Sequence, residues 1–248
     1  MQQLTVDAAQ DWDPAFGSDG EALLWTSDRS GAFEVWTANA DGSAARQLSR
    51  DGVDAENPGI APGGEWIVYW SGNPDHPGVW RMRPDGTDAE RVLEGDHSMT
   101  MVSPDGRWVA CNVLGGRSQR TRIVVIEVET KRVVPFEITL EDRRAEGLGR
   151  MSWVGPGPLS EGLALAYIGL DEEGRTGIYL QDFDPERDTA STRRPLAGFH
   201  DNLRTESFAV APDGSRVTLS MLELRPRLML AEGVPGVLAP RREEGSRF

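Results

Sequence analysis

The sequence predicts an all-β fold built from repeated four-stranded antiparallel sheets. A turn of the Pro-Asp-Gly type recurs along the chain, each time followed by a run of alternating apolar, β-branched and aromatic residues. Helical periodicity is nearly absent, while 28 glycines and 16 prolines supply residues for many tight turns. The 248 residues are enough to bury the core of one large all-β domain.

Each copy of the repeat begins with a short strand that ends in the recurrent turn. The clear copies are 11–20 (DWDPAFGSDG), 55–64 (AENPGIAPGG), 97–106 (HSMTMVSPDG) and 205–214 (TESFAVAPDG), and a weaker copy is 148–157 (LGRMSWVGPG). The final glycine of each clear copy is expected to take a positive φ, which this kind of turn requires. These glycines are Gly20, Gly64, Gly106 and Gly214.

Three further strands complete the repeat. The second strands are predicted at 23–25, 66–70, 108–110 and 217–219, and the third strands at 33–37, 78–82, 123–128, 177–181 and 228–230. In the first two copies a second Asp-Gly turn leads to short fourth strands at 46–49 and 90–93. Tryptophans recur at equivalent positions of the second and third strands, which favours packing between neighbouring units.

Four strands per unit, repeated roughly every 40 to 60 residues, are typical of the blades of a β-propeller. The sequence predicts one domain at 1–238 and a disordered polar tail at 239–248. Its blades are predicted at about 11–49, 54–93, 97–138, 146–197 and 205–238, the last completed by residues 1–8. Residues 3–6 resemble a fourth strand, and their pairing with the last blade would close the ring and remove two sheet edges. Six blades, with one hidden in 139–200, or a partial ring are the alternatives.

The same residues resemble a known family. An Asp-x-x-Pro strand, the Pro-Asp-Gly-like turn, an apolar strand and ANADGSAARQLS at 38–49 together resemble the TolB-like, or WD40-like, propeller repeat. The match is close over 11–49, good over 54–93 and 97–138, confined to three strands over 205–230, and loose over 148–197. The last copy, which ends at 227–230, also resembles the final repeat of propellers fused behind bacterial serine/threonine kinases. The resemblance implies the fold and leaves the function open.

Charge and cysteine content narrow the function classes. The net charge of −14 disfavours binding to nucleic acid or to an anionic membrane surface, since both require clustered Lys and Arg. No apolar run is long enough to span a bilayer, and no signal peptide is visible. We therefore expect a cytoplasmic protein, or a periplasmic one if the chain is a processed or truncated form. The single cysteine, Cys111, follows apolar residues in a strand and is expected to be a small buried side chain of the core.

Catalytic and metal-binding motifs are sparse. There is no Gly-x-Ser-x-Gly elbow and no phosphate-binding loop, and the Asp-Gly pairs lack the spacing of a calcium loop. His76 falls in a loop that is expected to be exposed. His97 and His200 are the weak metal-site candidates, because only these two histidines are expected to reach one mouth of a central channel. No cofactor and no metal are expected.

The sequence thus favours a non-catalytic binding, scaffold or sensor propeller with a protein or peptide partner. The residues expected on its binding face are Asp11, Trp12, His97, Trp153, His200 and Asp201. The alternative is a propeller-type lyase or hydrolase with a metal site in the central channel. A third hypothesis is the non-catalytic propeller of a larger peptidase.

Overall fold

The computed structural model of the chain describes residues 3–17, 20–113, 121–140, 150–211 and 214–223. Within these ranges the regular structure is β-strand throughout, apart from one short 3₁₀ turn at Ala190–Thr192. The predicted all-β fold of four-stranded antiparallel blades is confirmed. Among the described residues, no helix has the length and hydropathy required to cross a membrane.

In the described ranges, the strands form five antiparallel sheets that follow one another in chain order. The first two blades comprise β1 (Asp11–Phe16), β2 (Ala22–Ser27), β3 (Glu34–Asn39), β4 (Arg46–Gln47), β5 (Ala55–Ile60), β6 (Ile67–Ser71), β7 (Gly78–Met82) and β8 (Glu90–Glu94). The third comprises β9 (His97–Val102), β10 (Trp108–Val113), β11 (Arg122–Glu127), β12 (Arg132–Val133) and β13 (Ile138–Thr139). The last two comprise β14 (Met151–Val154), β15 (Ala164–Leu170), β16 (Thr176–Asp182), β17 (Arg194–Gly198), β18 (Leu203–Val210) and β19 (Val217–Glu223).

The turn between the first and second strands of a blade has the same geometry in four blades. The amide nitrogen of its glycine donates to the carbonyl oxygen three residues earlier, over 2.7–2.9 Å. Gly20, Gly64, Gly106 and Gly214 have φ angles of 72°, 73°, 72° and 65°. The positive φ that the sequence predicted at these four positions is confirmed, and it explains why glycine recurs there.

In the described part of the chain, most of the hydrophobic core lies in four seams, each between two consecutive blades. Both faces of an inner sheet are buried, so its strands are almost continuously apolar instead of alternating with polar residues. The four seams are centred on Leu24, Val35, Ile67 and Met82; on Val68, Val79, Val109 and Ile126; on Trp108, Val125, Leu165 and Tyr167; and on Ile178, Leu180, Phe208 and Leu219. Cys111 is fully buried in the second seam, as predicted, and burial raises the pKa of its thiol.

Residues 3–8 form no strand in the described structure. Leu4 packs against the cluster of Leu23, Trp25 and Ala38 on the first blade, beside the Asp41-Gly42 turn, where burial of its apolar side chain is favourable. Because the last blade is described only as far as residue 223, its completion by residues 1–8 stays a prediction. The predicted strand at 228–230 and the predicted tail at 239–248 lie outside the described residues.

Candidate binding funnel

A cleft of about 250 Å³ opens where the first strands of the blades meet, and we call it the funnel. The first strand of each blade contacts the first strand of the next, which brings β1, β5, β9, β14 and β18 together. Apolar side chains form most of the funnel wall, with a few polar groups among them. The funnel is lined by Asp13, Pro14, Ala15, Asn57, Pro58, Met99, Thr100, Met101, Arg150, Met151 and Phe208.

Equivalent bulges bring one residue of each of the first three blades into the funnel wall. The strand register shifts within β1, β5 and β9, in each case around the third residue of the strand. These third residues, Asp13, Asn57 and Met99, have φ angles of 51°, 52° and 53°. The left-handed region costs a non-glycine residue roughly 1–2 kcal/mol. Bulges and strained backbone concentrate at functional sites, which makes this rim the candidate site.

Asn57 joins the rims of the first three blades through hydrogen bonds. Its side-chain Nδ2 donates to Asp13 Oδ2 at 2.6 Å, and its Oδ1 accepts from the backbone N of Met99 at 3.0 Å. The hydroxyl of Thr100 donates to the backbone O of Asn57 at 2.7 Å. The polar groups of the funnel therefore fix one another, and their arrangement exists before any ligand arrives.

Carboxyl groups at and beside the rim have raised pKa values. Burial raises the pKa of Asp13, although its hydrogen bond with Asn57 and the charge of Arg150 oppose the shift. Burial, followed by the carboxylates of Asp54 and Asp13, raises the pKa of Glu56 to about 7. Glu56 precedes Asn57 on β5, so a group that changes charge near neutral pH adjoins the funnel.

Two of the predicted binding-face residues lie on β1. Trp12 has 55% of its surface exposed and directly precedes the rim residue Asp13. Asp11 is half-buried behind it, where Oδ1 accepts from Trp25 Nε1 at 3.1 Å and from Arg29 at 3.0 Å. Of this pair, therefore, Trp12 is open to a partner, while Asp11 holds other side chains in place.

The two histidines proposed as weak metal ligands occupy different environments. His97 is 5% exposed at the start of β9, burial lowers its pKa, and its Nδ1 has no hydrogen-bond partner among the described residues. His200 lies in the exposed turn after β17, where its Nδ1 accepts from the backbone N of Asn202 at 3.2 Å. In the described part of the chain, no three His, Cys, Asp or Glu side chains are grouped as a metal site.

The remaining predicted residues also lie away from the funnel surface. Trp153 is 8% exposed, and its Nε1 donates to the carbonyl oxygen of Met101 at 2.9 Å, so it supports the wall from behind. Its ring also meets the ring of Phe183 edge-on at 5.1 Å. Asp201 is on the surface and pairs with Arg175 at 3.2 Å.

The polar rim and the Met-rich wall were not predicted from the sequence. The signal for the rim was present in the repeat, because Asp13-Pro14 and Asn57-Pro58 occupy equivalent positions in copies one and two. Proline restricts the residue before it, and Asn and Asp tolerate a positive φ better than most residues. Arg150 and Phe208 carry no comparable signal, since the folding of distant blades brings them to the wall.

Comparison with known proteins agrees with this architecture. The family model described as the TolB beta propeller domain matches residues 1–146, which is more than half of the chain. The curated protein Atu1656 of Agrobacterium fabrum is 25% identical over 83 residues, which cover 34% of this chain and 27% of that protein.

Solved structures resemble the chain in fold. TolB of Acinetobacter baumannii is 15% identical with a TM-score of 0.56, and the match covers 83% of this chain and 45% of TolB. Oligogalacturonate lyase of Vibrio parahaemolyticus is 13% identical with a TM-score of 0.60, and the match covers 89% of this chain and 62% of the lyase. The chain thus spans between about a quarter and three fifths of the length of these relatives. By the family match over residues 1–146 and the five consecutive sheets, the chain belongs to the TolB β-propeller family.

Proposed function

We propose that the chain is a non-catalytic binding module that receives a peptide segment of a partner protein in the funnel. The observation that carries the proposal is the wall itself, in which apolar side chains surround a few polar groups that are already oriented by Asn57. Concave sites of this composition suit ligands that bury apolar surface and make a few specific hydrogen bonds.

The backbone around the funnel favours a peptide over a compact small molecule. Each of the first strands β1, β5, β9, β14 and β18 is the edge of its sheet. An edge strand offers backbone N–H and C=O groups that an extended peptide can use, while pockets beside the strand select its side chains. Met101, with 41% of its surface exposed, provides an adaptable apolar contact in the wall.

Binding is favoured over catalysis by the environments of the histidines. A propeller lyase would use histidines together with acidic residues around the channel, whereas His97 is buried in β9 and His200 caps an exposed turn. The similarity to oligogalacturonate lyase lies at 13% identity, which carries the fold and not the reaction.

A selection of displayed peptides on the purified protein tests the proposal. We expect the wild-type protein to enrich a peptide family, and Met101→Lys to lose it, because a charged side chain would enter the apolar wall. Val133→Lys is the matched control, since Val133 is 42% exposed on β12, outside the funnel lining. Enrichment that survives Met101→Lys, or that Val133→Lys also removes, would contradict binding in the funnel.

A further inference from the structure

Three methionines line the funnel, and they differ in how much of each side chain is open to solvent. They are Met99, Met101 and Met151. Met151 is 3% exposed in the core between the third and fourth blades, and Met99 is partly buried against the same core. Met101, by contrast, has 41% of its surface exposed. Of the three thioethers, that of Met101 is therefore the one that a solute in the funnel reaches most readily.

Met101 is also the most exposed methionine in the whole described part of the chain. Met82 is 1% exposed in the seam between the first and second blades, and Met221 on β19 is partly buried. A thioether has no proton to lose, so the access of the oxidant governs how fast each methionine is oxidised to its sulfoxide. The structure therefore places the most oxidisable of the described methionines in the wall of the funnel.

Two contacts hold the backbone of Met101 at the wall. On one side, Met101 is paired with Ala110 of the neighbouring strand β10. On the other, its carbonyl oxygen accepts a hydrogen bond from Trp153 Nε1 at 2.9 Å, and the ring of Trp153 packs edge-on against Phe183. A movement that turned Met101 out of the funnel would break both contacts. A chemical change at the Met101 sulfur therefore alters the funnel wall itself.

Oxidation by a peroxide changes an apolar part of this wall into a polar one. Hydrogen peroxide transfers one oxygen atom to Met101 Sδ, so that an S–O bond forms while the O–O bond breaks. The sulfur gives up two electrons to the peroxide, whose second oxygen leaves as water. The thioether is apolar and flexible, whereas the sulfoxide is polar and chiral. An apolar ligand group pressed against the sulfoxide would strip water from its oxygen, which costs binding free energy.

We propose that Met101 is a reversible oxidation site that switches the funnel from peptide binding, as the thioether, to weak binding, as the sulfoxide. The switch rests on the proposed function, because it acts on the peptide in the funnel, whereas the modification site does not. Reduction of the sulfoxide returns the thioether and with it the apolar wall. The coupling is reciprocal, so a peptide seated in the funnel covers Met101 and protects it from the oxidant.

Treatment with hydrogen peroxide, followed by mass spectrometry of tryptic fragments, tests the modification site without any peptide ligand. Met99 and Met101 fall in one fragment, residues 92–107, and tandem spectra distinguish them. In the folded protein we expect Met101 to be oxidised at least several-fold faster than Met99 and Met151. After unfolding in urea the three methionines should be oxidised at similar rates, because the fold no longer shields two of them.

The peptide that the selection enriches most strongly tests the switch. After oxidation the wild-type protein should bind this peptide at least about tenfold more weakly, and methionine sulfoxide reductases specific for the two sulfoxide epimers should restore the affinity. The affinity of Met101→Leu should be the same before and after oxidation. Met221→Leu is the matched control, because Met221 lies on β19 outside the funnel lining, and its affinity should fall on oxidation as that of the wild type does.

The two measurements separate the ways in which the proposal can fail. Oxidation of Met99 or Met151 as fast as Met101 in the folded protein would overturn the modification site, whatever the peptide does. Unchanged affinity after oxidation of Met101, or an equal loss in Met101→Leu, would overturn the switch. If Met101→Leu does not bind the peptide, the recovery with the reductases decides. A selection that enriches no peptide contradicts the proposed function and the switch together, while the order of oxidation still decides the modification site.

Discussion

Glu56 is the residue whose charge responds most directly to pH beside the funnel. Its pKa is about 7 in the folded protein, against an ordinary value of 4.5, because it is half-buried near the carboxylates of Asp54 and Asp13. The folded protein therefore keeps a proton that the unfolded chain releases between about pH 4.5 and pH 7. Stability falls as the pH rises through this window, because the folded state binds more protons than the unfolded state.

Replacing Glu56 with glutamine should remove the part of the pH dependence of stability that this carboxyl group causes. We expect the free energy of unfolding of Glu56→Gln to exceed that of the wild type by an amount that grows from pH 4.5 to pH 7 and then levels off. Urea unfolding at several pH values measures the difference. Glu161→Gln, in an exposed turn, controls for the loss of one negative charge. A difference between Glu56→Gln and the wild type that stays constant with pH would exclude Glu56 as its source.

Strands and blades are joined at the rim by a small number of specific contacts, among which Asn57 is central. The residue satisfies two requirements, since asparagine tolerates the φ of 52° and its amide can donate and accept at once. Through it the first, second and third blades share one hydrogen-bonded rim. The rigidity of the funnel therefore depends on a contact between blades and not on any single sheet.

Two substitutions at position 57 should separate the contribution of the side-chain hydrogen bonds from that of the backbone conformation. Asn57→Gly keeps the backbone conformation but removes the side-chain bonds, which should cost about 1–3 kcal/mol of unfolding free energy. Asn57→Ala should cost roughly 1 kcal/mol more, because alanine is strained at a positive φ. Denaturant unfolding checks both values. Asn39→Ala removes a hydrogen bond to Ser43 at the exposed end of β3 and should have a much smaller effect. Equal losses at the two sites would refute the role of Asn57.

The sequence predicts the strands well where it repeats. It does not predict the rim and wall of the funnel. The third strand of the second blade was predicted at 78–82 and observed at Gly78–Met82, because a local apolar run between turns determines it. The bulges at Asp13, Asn57 and Met99 arise from register shifts between paired strands, which depend on the partner strand. Trp153 was predicted to face a ligand, but packing against Phe183 of the same blade buries it.

Over the whole molecule, the excess of acidic residues is the dominant electrostatic feature. A net charge of −14 destabilises the compact state through self-repulsion, and salt screens that repulsion. Individual surface ion pairs, such as that between Arg122 and Glu137, offset this repulsion only weakly, since exposed pairs contribute about 0–1 kcal/mol to stability. The balance of these effects favours greater stability at higher ionic strength.

The melting temperature should accordingly rise when potassium chloride is increased to about 0.3 M. The rise should be roughly 2–4 °C for each kcal/mol by which the free energy of unfolding increases. The double variant Glu161→Lys, Glu172→Lys alters two exposed residues and changes the net charge from −14 to −10, since each substitution adds two charges. Its melting temperature should depend less on salt than that of the wild type. A melting temperature that falls with added salt would mean that local ion pairs outweigh the global repulsion.

The seams between blades also bear on how such a chain can change its length in evolution. Because the apolar core lies between sheets, an exchange that cuts the chain between two blades splits a seam and leaves two apolar faces uncovered. A blade that is duplicated restores the contacts only if each of its two apolar faces fits the face of its new neighbour. The fit between facing sheets therefore constrains a change in blade number as strongly as the stability of the added sheet itself.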